Sequence, residues 1–493
     1  MNFFGDLGFV GTVGTAWLIA DWVIRIAALF IVPKNRKPTA GMAWLLFIFL
    51  FPLPGLVIFI LLGNPKLPKA RRDAQKQIDK IIKKRMKDLK GNRATDGLLS
   101  AEPPEQYQQL ANLSQSLGGL PVFAGNNIEV LPEYDEVIDK IVKDIDGAKK
   151  YVHIEYFIIA LDEITLPIFD AITKAKQRGV VVRVLYDSIS TKRYPKWKQM
   201  LARLKTDGVD AQPMLPLRFP GRGYVRPDLR NHRKLIVVDG EIGYTGSQNL
   251  VKRNYHRKDE IYYDELVLRV RGPVVLQLSA VFSSDWFAET QTILDLSKLN
   301  PTADKLQIAG TSLAQILPSG PSYDDENNLK LFTSLIHTAK KRIVITNPYF
   351  VPDDSLTTAI TAATTRGVEV IMINSEVMDQ WMVGHAQRSF YEALLKAGVQ
   401  IFLYRKPILL HSKFITVDGD IATVGSSNLD IRSFLLDLEV TLISYDPNVV
   451  SKLIKIENLY LSKSTQITLK DWQKRSKYQN LKDNIARLTS ALQ

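Results

Sequence analysis

Two histidine–lysine pairs, 179 residues apart, are the groups in this chain best suited to phosphoryl chemistry. Each belongs to one ungapped pattern, H-x-K-x4-D-x6-G-S-x-N, which starts at His232 and again at His411. Six fixed positions, each about 5% of an average composition, match by chance at about 10⁻⁸ per start site. Two copies in one chain therefore indicate a shared function. The fixed positions are His232, Lys234, Asp239, Gly246, Ser247 and Asn249, then His411, Lys413, Asp418, Gly425, Ser426 and Asn428.

The two histidines can divide a phosphodiester transfer between them. Neutral imidazole has a lone pair that attacks phosphorus, and a second imidazole can protonate the leaving oxygen. We predict His232 as the nucleophile and His411 as the acid that later takes a proton from an incoming alcohol. The symmetry of the pattern also admits the reverse assignment. The groups predicted to hold the non-bridging oxygens and their charge are Lys234, Lys413, Asn249, Asn428, Ser247 and Ser426.

The elements that carry the pattern read as a strand, a turn and a second strand. A β-branched run ends in Asp-Gly in both copies, which is a hairpin signal. Because side chains alternate along a strand, His232 and Lys234 lie on one face, and so do His411 and Lys413. That face is predicted to be the active one in both copies.

A glutamate opens a further strand after each copy. Glu265 stands seven residues before Gly272, and Glu439 stands seven before Asp446. Two readings remain open for these acids. Each can hydrogen-bond the histidine of the other half, as a substrate-binding or supporting group, or each is an exposed residue at a strand end.

The remainder of the chain divides into two halves of similar plan, which predicts an α/β fold. Strand–helix–strand alternation with short Gly turns recurs, and the Arg-Gly-Val junction at 178–180 returns at 366–368. The dipeptide Tyr156-Phe157 is matched with Tyr349-Phe350. Internal duplication explains these repeats. We predict tandem domains at 119–305 and 306–493, with mixed sheets flanked by helices.

The composition restricts the partners and the chemistry. The net charge is +13, which favours an anionic partner such as nucleic acid or an acidic membrane surface, or else serves solubility alone. The chain contains no cysteine, which excludes disulfides and thiolate catalysis.

Two apolar runs near the N-terminus predict a transmembrane hairpin over residues 1–64. Residues 9–32 contain only Asp21 and Arg25 as charges, at a spacing that allows pairing on a helix, and 43–62 contain none. Each run is long enough to cross a bilayer core of roughly 30 Å. A signal peptide is disfavoured because no basic segment precedes the first run.

A basic segment at 65–118 follows and is predicted to be a helical neck. Its excess of Lys and Arg places the catalytic domains on the cytoplasmic side of a bacterial cell membrane, in a multi-pass protein. The stretch 73–90 reads as a helix with an apolar and a basic face. It either lies against anionic headgroups or is a solvated helix.

The doubled pattern resembles the phospholipase D superfamily over residues 119–490. The N-terminal hairpin and the phrases NHRK, VGSSNLDIRSF and LEV make it similar to the bacterial cardiolipin synthase family within that superfamily. The resemblance implies two domains that face each other across one site. It implies that Asp239 and Asp418, remote from the phosphate, support the catalytic groups. Two departures concern lipid preference: Asp437 stands where the family usually has Asn, and Glu265 where related enzymes commonly have Asp.

The resemblance also implies a reaction, in which two phosphatidylglycerol molecules give cardiolipin and glycerol through a phosphohistidine. The implied partners are phosphatidylglycerol, anionic membrane lipids and the membrane, with no nucleic acid, and no metal or other cofactor is expected. Three rivals remain. They are a phospholipase D that hydrolyses or transphosphatidylates other lipids, a nuclease, which the apolar runs disfavour, and an inactive lipid-binding scaffold.

Overall fold

The computed structural model describes residues 3–34, 36–90, 101–217, 223–255, 260–294 and 308–490. The chain forms two compact units. One comprises Met1–Leu67 with Arg218–Arg226, and the other comprises Pro68–Leu217 with Pro227–Gln493. Both copies of the repeated pattern belong to the second unit. The predicted domain boundary at 305/306 lies outside the described residues, so the division into 119–305 and 306–493 stays a prediction.

The described residues of the first unit form three helices, and they correct the predicted hairpin. The helices are α1 (Phe3–Ile31), α2 (Pro38–Leu50) and α3 (Pro52–Leu62). The second apolar run is divided at Phe51, because Pro52 lacks the N–H needed to continue a helix from the preceding turn. Of the helices in the described ranges, none has both the length and the apolar character needed to cross a membrane. The prediction of a two-helix transmembrane hairpin is therefore not supported.

Two local features of this unit follow from its sequence. The predicted ion pair between Asp21 and Arg25 is confirmed, at 2.9 Å. The Arg36 guanidinium donates to the carbonyl oxygens of Val32, at 2.7 Å, and Gly63, at 2.9 Å. Arg36 thus joins the loop after α1 to the end of α3.

The basic segment forms the predicted helix, α4 (Lys69–Lys90), which packs on protein. Ile78 and Ile82 are buried, and Gln75 donates to Ser284 Oγ at 2.6 Å on a helix of the second unit. The apolar face is therefore covered by the helix Val275–Thr290, and contact of the basic face with anionic headgroups stays a prediction.

Most of the described strands of the second unit form one extended sheet, and two further pairs of short strands form separate two-stranded sheets. The mixed α/β architecture is confirmed. In the first half the strands are β1 (Phe123–Leu131), β2 (Tyr151–Tyr156), β3 (Val181–Asp187), β4 (Asp210–Met214), β5 (Arg230–Asn231), β6 (Lys234–Val238), β7 (Ile242–Gly246), β8 (Tyr262–Asp264) and β9 (Val267–Arg271). In the second half they are β10 (Ser312–Ser319), β11 (Arg342–Thr346), β12 (Phe350–Val351), β13 (Glu369–Ser375), β14 (Gln400–Tyr404), β15 (Ile408–Leu410), β16 (Phe414–Val417), β17 (Ile421–Gly425), β18 (Leu429–Asp430), β19 (Asp437–Ser444) and β20 (Ser464–Ile467).

The strand order shows the duplication. It reads β20-β14-β13-β11-β16-β17-β19-β10-β1-β9-β7-β6-β2-β3-β4. Outward from the antiparallel junction of β10 and β1, each strand has a counterpart in the other half, and β20 is an extra edge strand. The halves therefore share one sheet.

Helices precede, connect and follow the strands of this unit. They are α5 (Glu105–Gly118), α6 (Tyr134–Asp146), α7 (Leu166–Gln177), α8 (Trp197–Thr206), α9 (Val275–Thr290), α10 (Asn327–Thr338), α11 (Asp354–Thr365), α12 (Trp381–Lys396), α13 (Ile431–Leu435), α14 (Pro447–Ser462), α15 (Leu469–Gln473) and α16 (Lys477–Arg487). Gly179 and Gly367 follow α7 and α11 at the repeated Arg-Gly-Val junctions, both with φ of 85°. Glycine suits these turns because it adopts positive φ without steric cost.

Two short parallel pairings cross between the halves. Strand β5 of the first half pairs with β19 of the second, through Arg230 opposite Asp437. Strand β8 of the first half pairs with β15 of the second, through Tyr263 opposite Leu409. Since β5 and β15 immediately precede the two pattern histidines, each histidine is placed by backbone from the opposite half.

Candidate active site

Each pattern histidine lies in the short break between two strands and is anchored across the halves. The His232 N–H donates to the Leu438 carbonyl oxygen at 2.8 Å, and the His411 N–H donates to that of Asp264 at 2.7 Å. His232 is 7% exposed and His411 5%, so both imidazoles are nearly closed off from bulk water.

The two strand-opening glutamates bind the histidines crosswise. Glu439 Oε1 lies 2.9 Å from His232 Nδ1, and Glu265 Oε1 lies 2.8 Å from His411 Nδ1. Of the two readings open from the sequence, the hydrogen bond to the other half's histidine is therefore the one present. An ionised carboxylate accepts, so Nδ1 carries the proton and Nε2 keeps its lone pair.

The pattern serines hold the glutamate strands. Ser426 Oγ donates to Glu439 Oε2 and accepts from the Val440 N–H at 3.0 Å. Ser247 Oγ accepts from the Leu266 N–H at 2.9 Å. These hydroxyls contact the strands that carry the acids, a position that orients Glu265 and Glu439.

The pattern lysines are folded back beside their histidines. Lys234 Nζ donates to the His232 carbonyl oxygen and Lys413 Nζ to that of His411, both at 2.7 Å. Both side chains are buried, and burial lowers the pKa of Lys234 to about 8 and that of Lys413 to about 7. Each ammonium is thus poised to lose its proton near neutral pH.

Charge interactions couple the two pairs across the halves. Burial and the partners in the same pair have the larger effects on the histidine pKa values. The lysine of the other half adds a smaller effect: Lys413 lowers the pKa of His232, and Lys234 lowers that of His411. Lys234 also lowers the pKa of Lys413 directly. Lys234 and Lys413 are thus two buried cations from opposite halves. Together they can bind an anion such as a phosphodiester through two of its oxygens.

Burial sets the ionisation of the imidazoles. It lowers the pKa of His232 to about 4 and lowers that of His411, against the opposing effect of the glutamates. Burial alone would raise the pKa of Glu265 and Glu439, but the adjacent histidines and lysines bring it below the usual value. Each pair is therefore a neutral imidazole with an anionic carboxylate near pH 7.

Two asparagine side chains have unpaired oxygens. Asn249 and Asn428 are buried, and the Oδ1 atom of each has no hydrogen-bond partner in the described residues. A buried amide without a partner is costly unless a ligand satisfies it. An amide oxygen accepts, so these atoms suit an O–H donor of a ligand, whereas the predicted role toward non-bridging oxygens belongs to the amide N–H groups.

The two pattern aspartates stabilise the hairpins. The Asp239 carboxylate accepts from the backbone N–H groups of Lys149, Lys150 and Tyr151, each at 2.8 Å. Asp418 accepts in the same way from the amides of residues 340–342, each at 2.8 Å. Both have positive φ, 54° and 55°, at the turns that end β6 and β16. These contacts fit the supporting role that the resemblance implies.

Three aromatic residues border the histidines, and sequence reasoning did not assign them to the site. The Phe157 ring lies 4.8 Å from His232, edge to face. The rings of Tyr263 and Tyr349 lie 5.6 Å and 6.1 Å from His411. The signals available in the sequence were the position of Tyr263 two residues before Glu265 and the recurrence of a Tyr-Phe dipeptide in both halves.

The sequence match between Tyr156-Phe157 and Tyr349-Phe350 is wrong by two residues. Tyr151 and Arg342 occupy equivalent places, since their carbonyl oxygens accept from the amides of Asp239 and Asp418. Counting forward from these anchors, the counterpart of Tyr349 is Ile158. The bridge of Ile159 to Leu250 matches the pairing of β12 with β18, which agrees with this register.

Asp437, one of the departures noted in the sequence, forms an ion pair with Arg432 at 3.0 Å. Burial raises its pKa to about 7, although Arg432 opposes this. Among the described residues, no group of three or more His, Asp or Glu side chains is arranged to hold a metal ion.

Comparison with known proteins agrees with this geometry. The family described as "Cardiolipin synthase, PLD-like domain" matches residues 141–286 and 332–459, one segment in each half. The chain belongs to this cardiolipin synthase family. A cardiolipin synthase of Alkalihalophilus pseudofirmus is 32% identical over 98% of this chain and 94% of its own length. Cardiolipin synthase A of Wigglesworthia glossinidia brevipalpis is 33% identical over 94% of this chain and 92% of its own.

A solved structure shares the fold of this family member. Phosphatidylserine synthase of Haemophilus influenzae aligns over 78% of this chain and all of its own, with a TM-score of 0.60 and 17% identity. The family membership accounts for the doubled pattern.

Proposed function

We propose that this protein transfers a phosphatidyl group from one phosphatidylglycerol to another, giving cardiolipin and glycerol. The observation that carries the proposal is the pair of crossed His–Glu contacts, His232 with Glu439 and His411 with Glu265. Near full-length similarity to cardiolipin synthases supports the same reaction.

The first step forms a phosphohistidine. The lone pair of His232 Nε2 attacks phosphorus, so a P–N bond forms as the P–O bond to the glycerol headgroup breaks. His411, protonated in the complex with the anionic phosphodiester, gives its proton to the departing oxygen. Glu265 stabilises that imidazolium, and Glu439 stabilises the phosphorylated His232.

The second step reverses the roles of proton donor and acceptor. A glycerol hydroxyl of a second phosphatidylglycerol gives its proton to His411 and attacks phosphorus. The new P–O bond forms as the P–N bond breaks, which releases cardiolipin and restores both imidazoles. Lys234, Lys413 and the amides of Asn249 and Asn428 hold the non-bridging oxygens in both steps.

We also propose contact with lipid through the N-terminal helices. Large apolar side chains there are exposed, among them Trp17 at 60% and Phe30 at 79%. Exposed apolar surface of this kind favours a lipid environment. Substituting both by Asp should reduce flotation with phosphatidylglycerol vesicles, and unchanged flotation would contradict this assignment.

The test of the reaction uses the full-length protein and phosphatidylglycerol labelled in its glycerol headgroup. Equal molar release of cardiolipin and glycerol is expected, with both products lost in His232→Ala and His411→Ala. Phosphatidic acid without cardiolipin would instead assign a hydrolytic phospholipase D, in which water replaces the second lipid. Full activity in either variant would contradict the two-histidine mechanism.

A further inference from the structure

A cluster of two phenols and one carboxylate lies beside His411, outside the repeated pattern. The Tyr349 hydroxyl donates to Asp379 Oδ1 at 2.7 Å, and the Tyr263 hydroxyl donates to Asp379 Oδ2 at 3.1 Å. Asp379 lies in the loop between β13 and α12, whereas Tyr263 comes from β8 of the other half. The cluster therefore joins the two halves at the His411 side.

The cluster is rich in hydrogen-bond acceptors. Burial, reinforced by Asp379, raises the pKa of both phenols, so each keeps its proton and donates it to the carboxylate. A phenol whose proton is engaged presents its oxygen as an acceptor, and a carboxylate accepts from more than one donor. Such a group suits a ligand that carries several O–H donors and disfavours an anion.

The cluster lies where the mechanism brings a headgroup. The tyrosine rings are 5.6 Å and 6.1 Å from the imidazole of His411, which exchanges a proton with the alcohol oxygen in both steps. The departing and the attacking alcohol are the same chemical group, so one subsite next to that imidazole serves both. The ring of Tyr255 stacks on that of Tyr263 at 4.1 Å and adds a third aromatic ring to this group.

The His232 side has no equivalent of this cluster in the described residues. The counterpart of Tyr263, two residues before the glutamate, is Asp437, which pairs with Arg432. The counterpart of Tyr349 is Ile158, and the ring nearest His232 is Phe157. An acceptor cluster on one side alone indicates binding of a group that approaches from that side.

We infer that Asp379, Tyr263 and Tyr349 form a polyol subsite that binds the free hydroxyl groups of the glycerol headgroup, both as it leaves and as it attacks. This inference rests on the proposed function and assigns the alcohol specificity of that reaction to these three residues.

The test is a competition between two soluble alcohols for the phosphatidyl group of phosphatidylglycerol vesicles. Labelled glycerol gives labelled phosphatidylglycerol, and labelled 1-propanol, which lacks the adjacent hydroxyls, gives phosphatidylpropanol. The wild-type protein should prefer glycerol. Asp379→Ala should lower the glycerol-to-propanol ratio of kcat/KM about tenfold or more, since a hydrogen bond to a charged acceptor is lost. Tyr349→Phe and Tyr263→Phe should lower it severalfold.

A matched variant distinguishes specificity from damage. Phe157→Leu, on the His232 side, should lower kcat/KM for both alcohols by the same factor and leave the glycerol-to-propanol ratio unchanged. An unchanged ratio in Asp379→Ala, with both rates reduced equally, would overturn the inference and leave the proposed function intact. A wild-type preference for ethanolamine over glycerol that Asp379→Ala abolishes would also overturn it, in favour of an ammonium site. The absence of any phosphatidyl-alcohol would contradict the subsite and the transferase reaction together.

Discussion

The His232 and His411 sides of the site are built on one backbone plan but surrounded by different side chains. Both have a crossing strand, a histidine, a glutamate from the other half and a lysine folded back on the histidine carbonyl. Around them, Phe157 lies against His232, and the position two residues before its glutamate is an aspartate paired with Arg432. Two phenols lie against His411 instead, and both bind Asp379. Under the proposed function, duplication preserved the groups that act on phosphorus, while the groups assigned to the rest of the substrate diverged.

The residue between His and Lys also differs between the sides. Arg233 is buried, its guanidinium binds Asp285, and its Nε donates to the Glu439 carbonyl oxygen at 3.0 Å. Its counterpart Ser412 has a hydroxyl 3.0 Å from that of Tyr460. At this position of the pattern, a buried ion pair holds the His232 side and a hydrogen bond between two hydroxyls holds the His411 side.

The largest expected effect separates the two histidines by role. His232→Ala and His411→Ala should each reduce cardiolipin formation about 10⁴-fold or more. With a phosphatidyl nitrophenyl ester, whose nitrophenolate leaves without a proton, His411→Ala should still release one equivalent of nitrophenol in a burst. His232→Ala should give no burst, because it has no nucleophile. The reverse result would exchange the two assignments and contradict the asymmetry argued above.

The next effect concerns the crossed glutamates. Glu439→Gln and Glu265→Gln should each lower kcat about 10³-fold, since a neutral amide no longer stabilises the imidazolium or fixes its tautomer. Glu129→Gln on β1, an acid paired with Lys140 outside the site, is the control and should retain activity. Rates within threefold of wild type in both site variants would show that the carboxylates serve packing alone.

Much of this arrangement follows from the sequence, and the reasons for the rest are physical. The ungapped pattern predicts the hairpins, because an Asp-Gly turn after a β-branched run is a local signal. The strands β5 and β8 are two and three residues long, and their pairing across the halves is a long-range contact with no local signature. The two-residue error at Tyr349 arose because matching letters do not establish strand register. In the apolar run at 43–62 a proline kink within one spanning helix was expected, but Pro52 ends one helix and begins another.

The structural difference between the sides should appear in stability. Arg233→Met leaves Asp285 as an unpaired buried charge and is expected to cost about 3–5 kcal/mol. Ser412→Ala removes one neutral hydrogen bond and is expected to cost about 1 kcal/mol. Scanning calorimetry should therefore show a clearly lower unfolding temperature for Arg233→Met. Equal unfolding temperatures for the two variants would mean that the Arg233–Asp285 ion pair contributes no more to stability than the hydrogen bond of Ser412.

The smallest effect is a shift in pH dependence that distinguishes the two lysines. Lys413 and Lys234 must be protonated to hold the phosphate, and burial lowers their pKa to about 7 and about 8. With the nitrophenyl ester, whose release needs no proton from His411, the second-order rate of the burst reports the free enzyme. That rate should therefore decline as pH rises above about 7, and it should also decline at low pH as His232, with a pKa of about 4, becomes protonated. Arginine keeps its charge at these pH values, so Lys413→Arg should move the alkaline decline from about 7 to about 8, where Lys234 becomes limiting. An alkaline decline that stays at the wild-type pH in this variant would place its origin in another group, and the two lysines would then be equivalent after all.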